Sequence, residues 1–433
     1  MKKQSRIENL ISKFLLLHDR KIDLSLDRIN RLNKDLNINL DRIRNKTITV
    51  SGTNGKWSTA TTIKSIFEAA GYKVDLFTSP HVQNYTERFI FDSKEILEED
   101  LFKLLKYVEL KNASKPITVF ELLTSAFYLY STSKSKSDLV IAENGLFQRF
   151  DSVSSIGHHL MNVTCSIGLD HLDWLPDGKK NVDQIILEKT SNINASNIII
   201  SEQSDKKILN KIEKTIKNNL AKKSIFSKNY FYEINKDGFV YKDQFGELQL
   251  PKPNLRGEHQ ISNTASAVSA VRNLKNYKIE NEHIIQGIKL IKNMRGRLEF
   301  INQGPLKKLA PLNTVICDTA HNPNAAQAVS RFLNTLDKNK KIYIICGMMN
   351  NKIHHEFLYN FKQVSEIVTI DIPNNKNCMT KEDLKRIAND VGVKSEVSNS
   401  IEDAIKYISN KDKESIILII GSIFLIGEVL NLN

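Results

Sequence analysis

The chain has few cysteines and no long apolar run, and both absences narrow its class. Its 433 residues include four widely separated cysteines, Cys165, Cys317, Cys346 and Cys378, and no C-x-x-C pair for a metal or a redox centre. This usage predicts a reduced, cytoplasmic protein. The longest apolar stretch, Ile416 to Ile426, is interrupted by Gly421 and Ser422. It is shorter than the roughly 18 residues that a membrane-spanning helix needs, so we expect no membrane segment.

The chain also lacks internal repeats, and its basic residues form no stripe. The formal net charge is +13, which favours anionic partners such as nucleic acid, acidic lipid or charged metabolites. The lysines are scattered and are not interleaved with aromatic residues, so nucleic-acid binding is the weakest of these hypotheses. We therefore expect small anionic substrates, with neither nucleic acid nor membrane as a partner.

Short apolar segments alternate with helical segments along most of the chain. Because strands without alternation are buried on both faces and parallel strands need helical crossovers, this rhythm predicts an α/β fold with a mostly parallel sheet. The predicted strands are 47–50, 139–142, 163–167, 197–201, 314–317, 341–346, 367–370 and 416–420. Between Ile225 and Pro251, alternating segments and turn signals predict a small antiparallel insertion. A second βαβ series begins near Phe300. We therefore predict two domains, residues 1–296 and residues 297–433.

Residues 47–59 have the order strand, glycine turn, lysine and helix. The turn is Gly52-Thr-Asn-Gly-Lys56, and Ser58 and Thr59 follow in the helix. Backbone amides, a helix N-terminus and a lysine together form a phosphate cradle, and a hydroxyl at Ser58 or Thr59 suits Mg²⁺. The spacing is G-x-x-G-K-x-[ST], which differs from that of ordinary P-loop NTPases. The competing interpretation is a structural glycine turn.

Polar residues at other predicted strand ends extend this site. Glu143 follows the strand 139–142 and has the place of a Mg²⁺-binding acid, although a helix-capping acid is an equal alternative. Asp170 and His171 follow the strand 163–167 and could add a carboxylate or an imidazole to the same metal site. A single Asp-His pair is weak evidence for this.

Three further segments are less decisive from the residues alone. Lys189 lies in a helical stretch, where a lysine is more often solvated than catalytic. His259 to Asn263 precedes a small-residue helix, so a helix cap is as good an interpretation as a ligand site. Asp318-Thr-Ala-His321-Asn-Pro323 places a carboxylate, an imidazole and an amide on one turn, a set that suits a ribose or a phosphate.

Ten motifs occur in the order typical of one family. They are Gly52-Thr-Asn-Gly-Lys56, Thr78-Ser-Pro-His81, Glu87-Arg88, Phe120-Glu121, Gly168-Leu-Asp-His171, Glu188-Lys189, Gly257 to Asn263, Gly296-Arg297, Asp318 to Pro323 and Gly421-Ser422. The chain, from the segment Ile22 to Arg28 as far as Gly421, resembles the folylpolyglutamate synthase and dihydrofolate synthase family of the Mur ligase superfamily. The ordered set is far more specific than any one motif.

The resemblance implies a fold and a reaction. The fold would be a large N-terminal Mur ligase ATPase domain of the P-loop type, with a mostly parallel sheet and an antiparallel insertion, followed by a Rossmann-like C-terminal domain. The enzyme would be an ATP-dependent amide ligase that adds L-glutamate to dihydropteroate and to reduced folates through an acyl phosphate. Relatives of this architecture commonly work as monomers.

The resemblance also implies roles for individual residues. Those matched to ATP binding are Gly52, Thr53, Asn54, Gly55, Lys56, Ser58, Thr59, Asn263, Arg297, Asp318 and His321. Those matched to two Mg²⁺ ions are Ser58, Ser79, Glu143, His171 and Lys189, the last as a carbamylated lysine, which reverses its interpretation from composition. Lys56, Lys189 and His321 would be catalytic, while Arg28, Phe120 and Asp151 would border the pterin.

Two segments depart from the family pattern. Trp57 stands where the cradle usually has another glycine. The segment Glu143-Asn-Gly-Leu-Phe-Gln-Arg-Phe-Asp151 replaces the usual Glu-Val-Gly-Leu-Gly-Gly-Arg-Leu-Asp, so Phe147 and Gln148 occupy the double glycine. These departures keep open a catalytically impaired ATP-binding protein, and the superfamily keeps open another Mur-type ligase, although the spacing of the second and ninth motifs speaks against the latter.

Overall fold

A computed structural model describes residues 5–17, 24–291 and 294–433, so Ile22 and Asp23 of the first segment lie outside the described part. The chain forms two compact units. The first comprises Met1–Ile167, Val182–Pro253 and Ile261–Ile291, as far as they are described. The second comprises Gly168–Asn181, Asn254–Gln260 and Lys292–Asn433, with the same qualification. Two short segments from within the N-terminal part of the chain thus belong to the second unit.

The first unit is built on a mixed sheet whose described strands have the order β4-β3-β2-β5-β1-β6-β7-β8. The strands are β1 Thr47–Ser51, β2 Val74–Phe77, β3 Phe89–Phe91, β4 Lys94–Glu95, β5 Leu139–Glu143, β6 His159–Thr164, β7 Ala195–Ile200 and β8 Lys222–Ile225. Strands β2, β5, β1, β6, β7 and β8 pair in parallel, and β3 and β4 add an antiparallel edge. All residues of β1 and β5 are buried, as expected for central parallel strands.

Helices cover both faces of this sheet. They are α1 Arg6–Phe14, α2 Asp27–Asp35, α3 Asp41–Arg44, α4 Lys56–Ala69, α5 Glu98–Asn112, α6 Val119–Ser133, α7 Val182–Thr190, α8 Lys206–Thr215, α9 His259–Arg272 and α10 Asn281–Leu290. Ile48 and Val50 of β1 join one apolar cluster, which includes residues of α4, α9 and α10. Val140 and Ala142 of β5 join a second cluster, which includes residues of α5 and α6. Because successive side chains of a strand point to opposite faces of the sheet, the strands contribute to two separate apolar cores.

A small antiparallel sheet belongs to the first unit. Its strands are β9 Tyr230–Ile234, β10 Gly238–Asp243 and β11 Gly246–Pro251, in the order β11-β10-β9. Tyr230, Phe239 and Tyr241 are buried in the first apolar cluster, which ties the small sheet to the large one. This confirms the predicted insertion.

The second unit has its own mostly parallel sheet, ordered β12-β13-β17-β14-β15-β16, where only β12 pairs antiparallel among the described strands. The strands are β12 Glu299–Phe300, β13 Thr314–Asp318, β14 Ile342–Cys346, β15 Glu366–Thr369, β16 Ser395–Val397 and β17 Ile416–Ile420. The helices are α11 Pro305–Leu309, α12 Pro323–Leu333, α13 His354–Tyr359, α14 Lys381–Asp390, α15 Ile401–Lys411 and α16 Ile423–Leu432. Its core is a separate apolar cluster that includes Ile344, Phe357 and Leu418.

The α/β class predicted from the sequence is confirmed, and one strand is displaced. The strand predicted at 163–167 is β6, which begins at His159 and ends at Thr164. The chain leaves the ladder there because the Ser166 carbonyl accepts hydrogen bonds from the Thr53 and Asn54 amides, at 2.8 and 3.1 Å. No helix in the described part of the chain is long and apolar enough to cross a membrane.

Candidate active site

The turn after β1 is shaped by two glycines in the left-handed region. Gly52 has φ +129°, and a Cβ there would lie 2.8 Å from the Cβ of Cys165. Gly55 has φ +88°, and a Cβ there would lie 2.2 Å from the Asn263 Oδ1. Only glycine fits either position. Helix α4 begins at Lys56, so its first-turn amides point towards the turn, as a phosphate cradle requires.

The amides of the turn have different roles. Those of Thr53 and Asn54 already donate to the Ser166 carbonyl, so they hold the turn against the residues that follow β6. The cradle surface is therefore left to the amides at the start of α4 and to the Lys56 ammonium. Trp57 is half-buried in the same first turn.

Lys56 and Glu143 face each other at the end of the central strands. The Lys56 Nζ lies 3.8 Å from the Glu143 Oε1, and both side chains are largely buried. The Glu143 Oε2 accepts a hydrogen bond from the Ser79 amide at 3.1 Å. The structure thus brings together three of the predicted site residues, of which Lys56 and Ser79 follow β1 and β2 and Glu143 ends β5.

The loop after β2 is held by charged side chains to which the sequence patterns gave no role. The Glu87 carboxylate accepts hydrogen bonds from the amides of Val82, Gln83 and Asn84, at 2.8 to 3.0 Å. Arg88 donates to the Ser79 hydroxyl at 3.3 Å and to the His81 Nδ1 at 2.8 Å. Burial and the Arg88 charge lower the pKa of His81 to about 2, so this imidazole is neutral.

The two hydroxyls of the first turn of α4 differ in their surroundings. Thr59 is fully buried, and its hydroxyl lies 3.4 Å from the Cys165 Sγ and 3.5 Å from the Asn263 carbonyl. It therefore packs against the interior. Ser58 is also buried, but it is one residue closer to the mouth of the cradle. Of the two hydroxyls, we therefore propose that of Ser58 for a metal contact.

The donor set at the cradle suits a metal that keeps phosphate and water ligands. Glu143 would supply a carboxylate, and Ser58 and Ser79 would supply hydroxyls, which are the hard oxygen donors that Mg²⁺ prefers. Within residues 5–17, 24–291 and 294–433, no three His, Cys, Asp or Glu side chains form a group that could hold a metal by themselves. Mg²⁺ usually binds through one or two carboxylates plus substrate phosphates, so the residues fit it.

Lys189 is buried and connects two parts of the site. It lies at the end of α7, and its Nζ donates to the Gly52 carbonyl at 2.9 Å and to the Leu146 carbonyl. The Phe147 ring lies 5.4 Å from the same Nζ. In the adjoining segment, the amides of Gln148 and Arg149 donate to the Glu188 carbonyl. The atypical segment 143–151 is thus fastened to α7.

The residues predicted at the pterin lie in the first unit. Arg28 of α2 forms a two-pronged pair with the Glu121 carboxylate of α6, at 3.0 and 3.1 Å. Phe120 stacks on Phe77, with ring centroids 5.8 Å apart. Asp151 accepts from the amides of Leu146 and Val153, and its burial raises its pKa to about 6. Arg28 thus joins α2 to α6, and Asp151 shapes the loop that carries it.

The second unit carries Arg297, Asp318 and His321. The Asp318 carboxylate accepts from the amides of Leu298 and Ala320, both at 2.8 Å, which fixes the turn after β13. Burial raises its pKa, against the opposing effect of the Arg297 charge. His321 follows on the same turn, and its Nδ1 lies 2.9 Å from the Thr319 carbonyl. Asn263 belongs to the first unit, where it covers Gly55.

A polar cluster within the second unit centres on Asp170. Its carboxylate lies 2.7 Å from the Lys352 Nζ, 3.2 Å from the His321 Nε2, 3.3 Å from the Asn322 Nδ2 and 3.8 Å from the His171 Nε2. Burial alone would raise the pKa of Asp170, but the neighbouring His171, His321 and Lys352 hold it well below its usual range. The sequence patterns missed Lys352, which has no local signal because it lies 182 residues from Asp170.

Comparisons with known proteins find similar sequences. Residues 296–423 match the family model of the Mur ligase glutamate ligase domain. The dihydrofolate synthase/folylpolyglutamate synthase of Escherichia coli strain K12 is 29% identical over 339 residues, covering 78% of this chain and 74% of the relative. The protein of the same name from Bacillus subtilis strain 168 is 26% identical, and the alignment covers 88% of each chain.

Solved structures resemble the whole chain. E. coli FolC in complex with DHPP and ADP has a TM-score of 0.83 at 27% identity, covering 99% of this chain and 97% of that one. The bifunctional folylpolyglutamate synthase/dihydrofolate synthase of Yersinia pestis, complexed with AMPPNP and a manganese ion, has a TM-score of 0.82 at 24% identity. It covers 100% of this chain and 99% of that one, and at this identity it supports the fold alone.

Proposed function

We propose that this chain, which is similar over most of its length to dihydrofolate synthase/folylpolyglutamate synthases and carries a match to the Mur ligase glutamate ligase domain, is an ATP-dependent ligase that joins L-glutamate to a pterin-bearing acid. The finer proposal is an acid–amino-acid ligase with two substrates, dihydropteroate and the γ-carboxylate of reduced folates. We also propose that it acts as a cytoplasmic monomer.

The observation that carries this proposal is the meeting of Lys56, Glu143 and Ser79 at the mouth of the glycine turn. A nucleoside triphosphate with its divalent metal requires a cation, a carboxylate and hydroxyls, and these groups lie at the N-terminus of α4. The E. coli relative solved with ADP supports an adenine nucleotide as the occupant, and we propose that it is ATP.

The proposed reaction has two steps. The terminal phosphoryl group of ATP passes to a carboxylate oxygen of the acid, which gives an acyl phosphate and ADP. The glutamate amine then attacks the acyl carbon, and phosphate leaves as the amide forms. Lys56 would hold the phosphates through charge, and the first-turn amides of α4 would fix their direction.

Mg²⁺ would be held by Glu143 together with the hydroxyls of Ser58 and Ser79, and it would neutralise phosphate charge when bound. A second Mg²⁺ also remains part of the proposal, with His171 of the second unit and a carbamylated Lys189 of the first unit as the residues that the family resemblance implies. The modification can be tested by ¹³C NMR of the protein incubated with ¹³C-bicarbonate. A carbamate on Lys189 would give a carbonyl resonance that is missing from the spectrum of Lys189→Arg.

In the second unit, Arg297, Asp318 and His321 remain the residues proposed for contact with ATP. Asn263 is the fourth such residue and lies over the cradle glycine Gly55 in the first unit. Thr59 is retained only as a packing residue of the cradle, since its hydroxyl faces Cys165 and the Asn263 carbonyl.

The experiment that tests the function measures ADP release by the purified full-length chain with ATP and Mg²⁺. Four reactions contain dihydropteroate or tetrahydrofolate, each with and without L-glutamate. We expect glutamate-dependent ADP release with both acids. Release with one acid alone would reduce the proposal to a single synthase activity, and release with neither would overturn it.

A further inference from the structure

Asn144 is a buried carboxamide whose side chain has no hydrogen-bond partner in the part of the chain that the structure describes. It follows Glu143 directly and is 1% exposed. Among the described residues, neither its Nδ2 nor its Oδ1 has a hydrogen-bond partner. Its backbone is well placed, because its amide donates to the Val50 carbonyl at 2.9 Å and so continues the β5 ladder.

A buried amide without partners is unfavourable, and native proteins rarely keep one without a reason. The pattern of the resembling family has valine at this position, which would avoid the cost. This chain therefore keeps a polar group where an apolar one of similar size would stabilise the ligand-free protein. Such a position is explained if a ligand supplies the missing partners.

The position of Asn144 indicates which ligand. Successive residues of a strand point to opposite faces, so Asn144 shares the face of Val140 and Ala142, whereas Glu143 shares that of Ile141. Val140 and Ala142 belong to the cluster against which Phe120 packs. The Phe120 ring also contacts the next residue, since a Cβ on Gly145 would lie 2.7 Å from the Phe120 Cε1.

The hydrogen-bonding groups of the Asn144 side chain further limit the chemical class of the ligand. A carboxamide presents one donor beside one acceptor, and its natural complement is a ring edge that carries the reverse pair. An anionic group would accept a hydrogen bond from the Nδ2 but would repel the Oδ1, which is itself an acceptor. A phenyl face at Phe120 suits a flat heterocycle. Gly145 and Leu146, which follow Asn144, are partly exposed, so the chain reaches the protein surface directly after Asn144.

We propose that Asn144 is a specificity-determining residue that hydrogen-bonds the donor–acceptor edge of a heteroaromatic ring lying against Phe120. This rests on the proposed function, in which that ring is the pterin of the acid substrate. The residue contributes to selection of the ring and has no part in holding nucleotide or metal.

The test compares the full-length wild type, Asn144→Val and Thr264→Val. Thr264 is a matched control, because it is fully buried and its hydroxyl also has no partner within the described chain. Thermal unfolding without ligand is measured first. Titration calorimetry then gives the affinity for a nonhydrolysable ATP analogue with Mg²⁺, for 7,8-dihydropteroate, and for 4-aminobenzoyl-glutamate, which lacks the heterocycle.

We expect both variants to unfold at a midpoint raised by about 2 °C or more, since each loses an unpaired buried polar group. Asn144→Val should bind dihydropteroate about tenfold or more weakly, and should bind the ATP analogue and the ringless acid as the wild type does. Thr264→Val should bind dihydropteroate normally.

Unchanged dihydropteroate affinity in Asn144→Val, or an equal loss for the ringless acid, would overturn the assignment. A lowered unfolding midpoint would also overturn it, because the amide would then have a stabilising partner in the ligand-free protein. Wild type that binds the ATP analogue but no pterin acid would instead refute the proposed function, so the two failures are distinct.

Discussion

At the scale of single residues, the cradle depends on one buried cation. Lys56 is the residue whose charge faces both the turn and Glu143, since its Nζ lies 3.3 Å from the Thr53 carbonyl and 3.8 Å from the Glu143 carboxylate. The charge of Lys56 contributes only modestly to folding. It matters for ligand binding, because it would bind phosphate oxygens that water otherwise solvates.

Lys56→Ala should abolish detectable nucleotide binding, with a loss in affinity of at least about 100-fold, since it removes a charge-assisted contact and leaves Glu143 to repel phosphate. Lys64→Ala is the control, because Lys64 lies on the same helix and pairs with Glu68. Equilibrium titration with a fluorescent ATP analogue measures both. Nucleotide affinity within threefold of the wild type in Lys56→Ala would contradict the cradle assignment.

Lys189 should be the most costly lysine of the first unit to remove. Lys189→Met leaves the carbonyls of Gly52 and Leu146 buried without their donor, so we expect the free energy of unfolding to fall by about 2 to 4 kcal/mol. Urea unfolding measures this, with Lys211→Met as control because Lys211 forms an exposed pair with Asp183. Equal stability of the two variants would show that Lys189 does not brace the turn.

At the scale of elements, β1 and β6 share a buried polar row. The Thr49 hydroxyl accepts a hydrogen bond from the Asn162 Nδ2 at 2.8 Å and lies 2.9 Å from the His159 Nε2. The Thr164 hydroxyl donates to the Asn162 Oδ1 at 2.9 Å. Such a row, buried between central strands, is stable only while each member keeps its partner.

This row makes the stability of the first unit sensitive to acid. Burial lowers the pKa of His159 from its ordinary 6.5 to about 4. Between these values the unfolded chain binds a proton that the folded chain does not, so stability falls as pH falls from 6.5 to 4. The loss is on the order of 3 kcal/mol, since each pKa unit is worth about 1.4 kcal/mol.

His159→Gln should therefore flatten the dependence of unfolding free energy on pH between 6.5 and 4, relative to the wild type. Urea unfolding at a series of pH values measures the difference between the two curves. His158→Gln is the control, since His158 is exposed and bonds to Asn194 and Ser196. Parallel curves for the wild type and His159→Gln would refute the argument.

The elements that could be predicted from the sequence are those whose signal is local. The strand β1, its glycine turn and α4 follow one another within 23 residues, and the apolar run of β17 was predicted with its observed bounds, Ile416–Ile420. The β6 bounds were displaced, because the end of that strand depends on hydrogen bonds from Thr53 and Asn54, more than 100 residues earlier.

The same distinction holds for the candidate site. Glu143 ends a predicted strand, so its position could be predicted from the pattern, whereas Ser79 follows β2, which the pattern did not predict, and was named through the family resemblance alone. The ion pair between Asp170 and Lys352 and the missing partners of Asn144 were not, because both depend on which distant segments meet. Polar contacts of this kind leave no period in the sequence.

At the scale of the whole molecule, the second unit is not continuous in sequence. Its compact core lies within residues 294–433, but residues 168–181 also belong to it and supply Asp170. Lys352 and Asp170 are both largely buried, with side chains 12% and 4% exposed. A buried ion pair that loses one partner is strongly destabilising, so the contribution of Lys352 should depend on the presence of the distant segment.

Lys352→Met should lower the free energy of unfolding of the full-length chain by about 3 kcal/mol, because Asp170 then lacks its nearest cation. In a fragment of residues 294–433, which has no Asp170, the same substitution should change stability by less than about 0.5 kcal/mol. Lys338→Met, at an exposed position, should have no effect in either chain. Urea unfolding of all six proteins measures these differences. An equal loss of unfolding free energy from Lys352→Met in the full-length chain and in the fragment would mean that Lys352 acts through contacts within the fragment alone.

If the fragment does not fold, a double-mutant cycle in the full-length chain replaces the comparison. The variant with both Asp170→Asn and Lys352→Met should then lose less unfolding free energy than the sum of the losses of the two single variants.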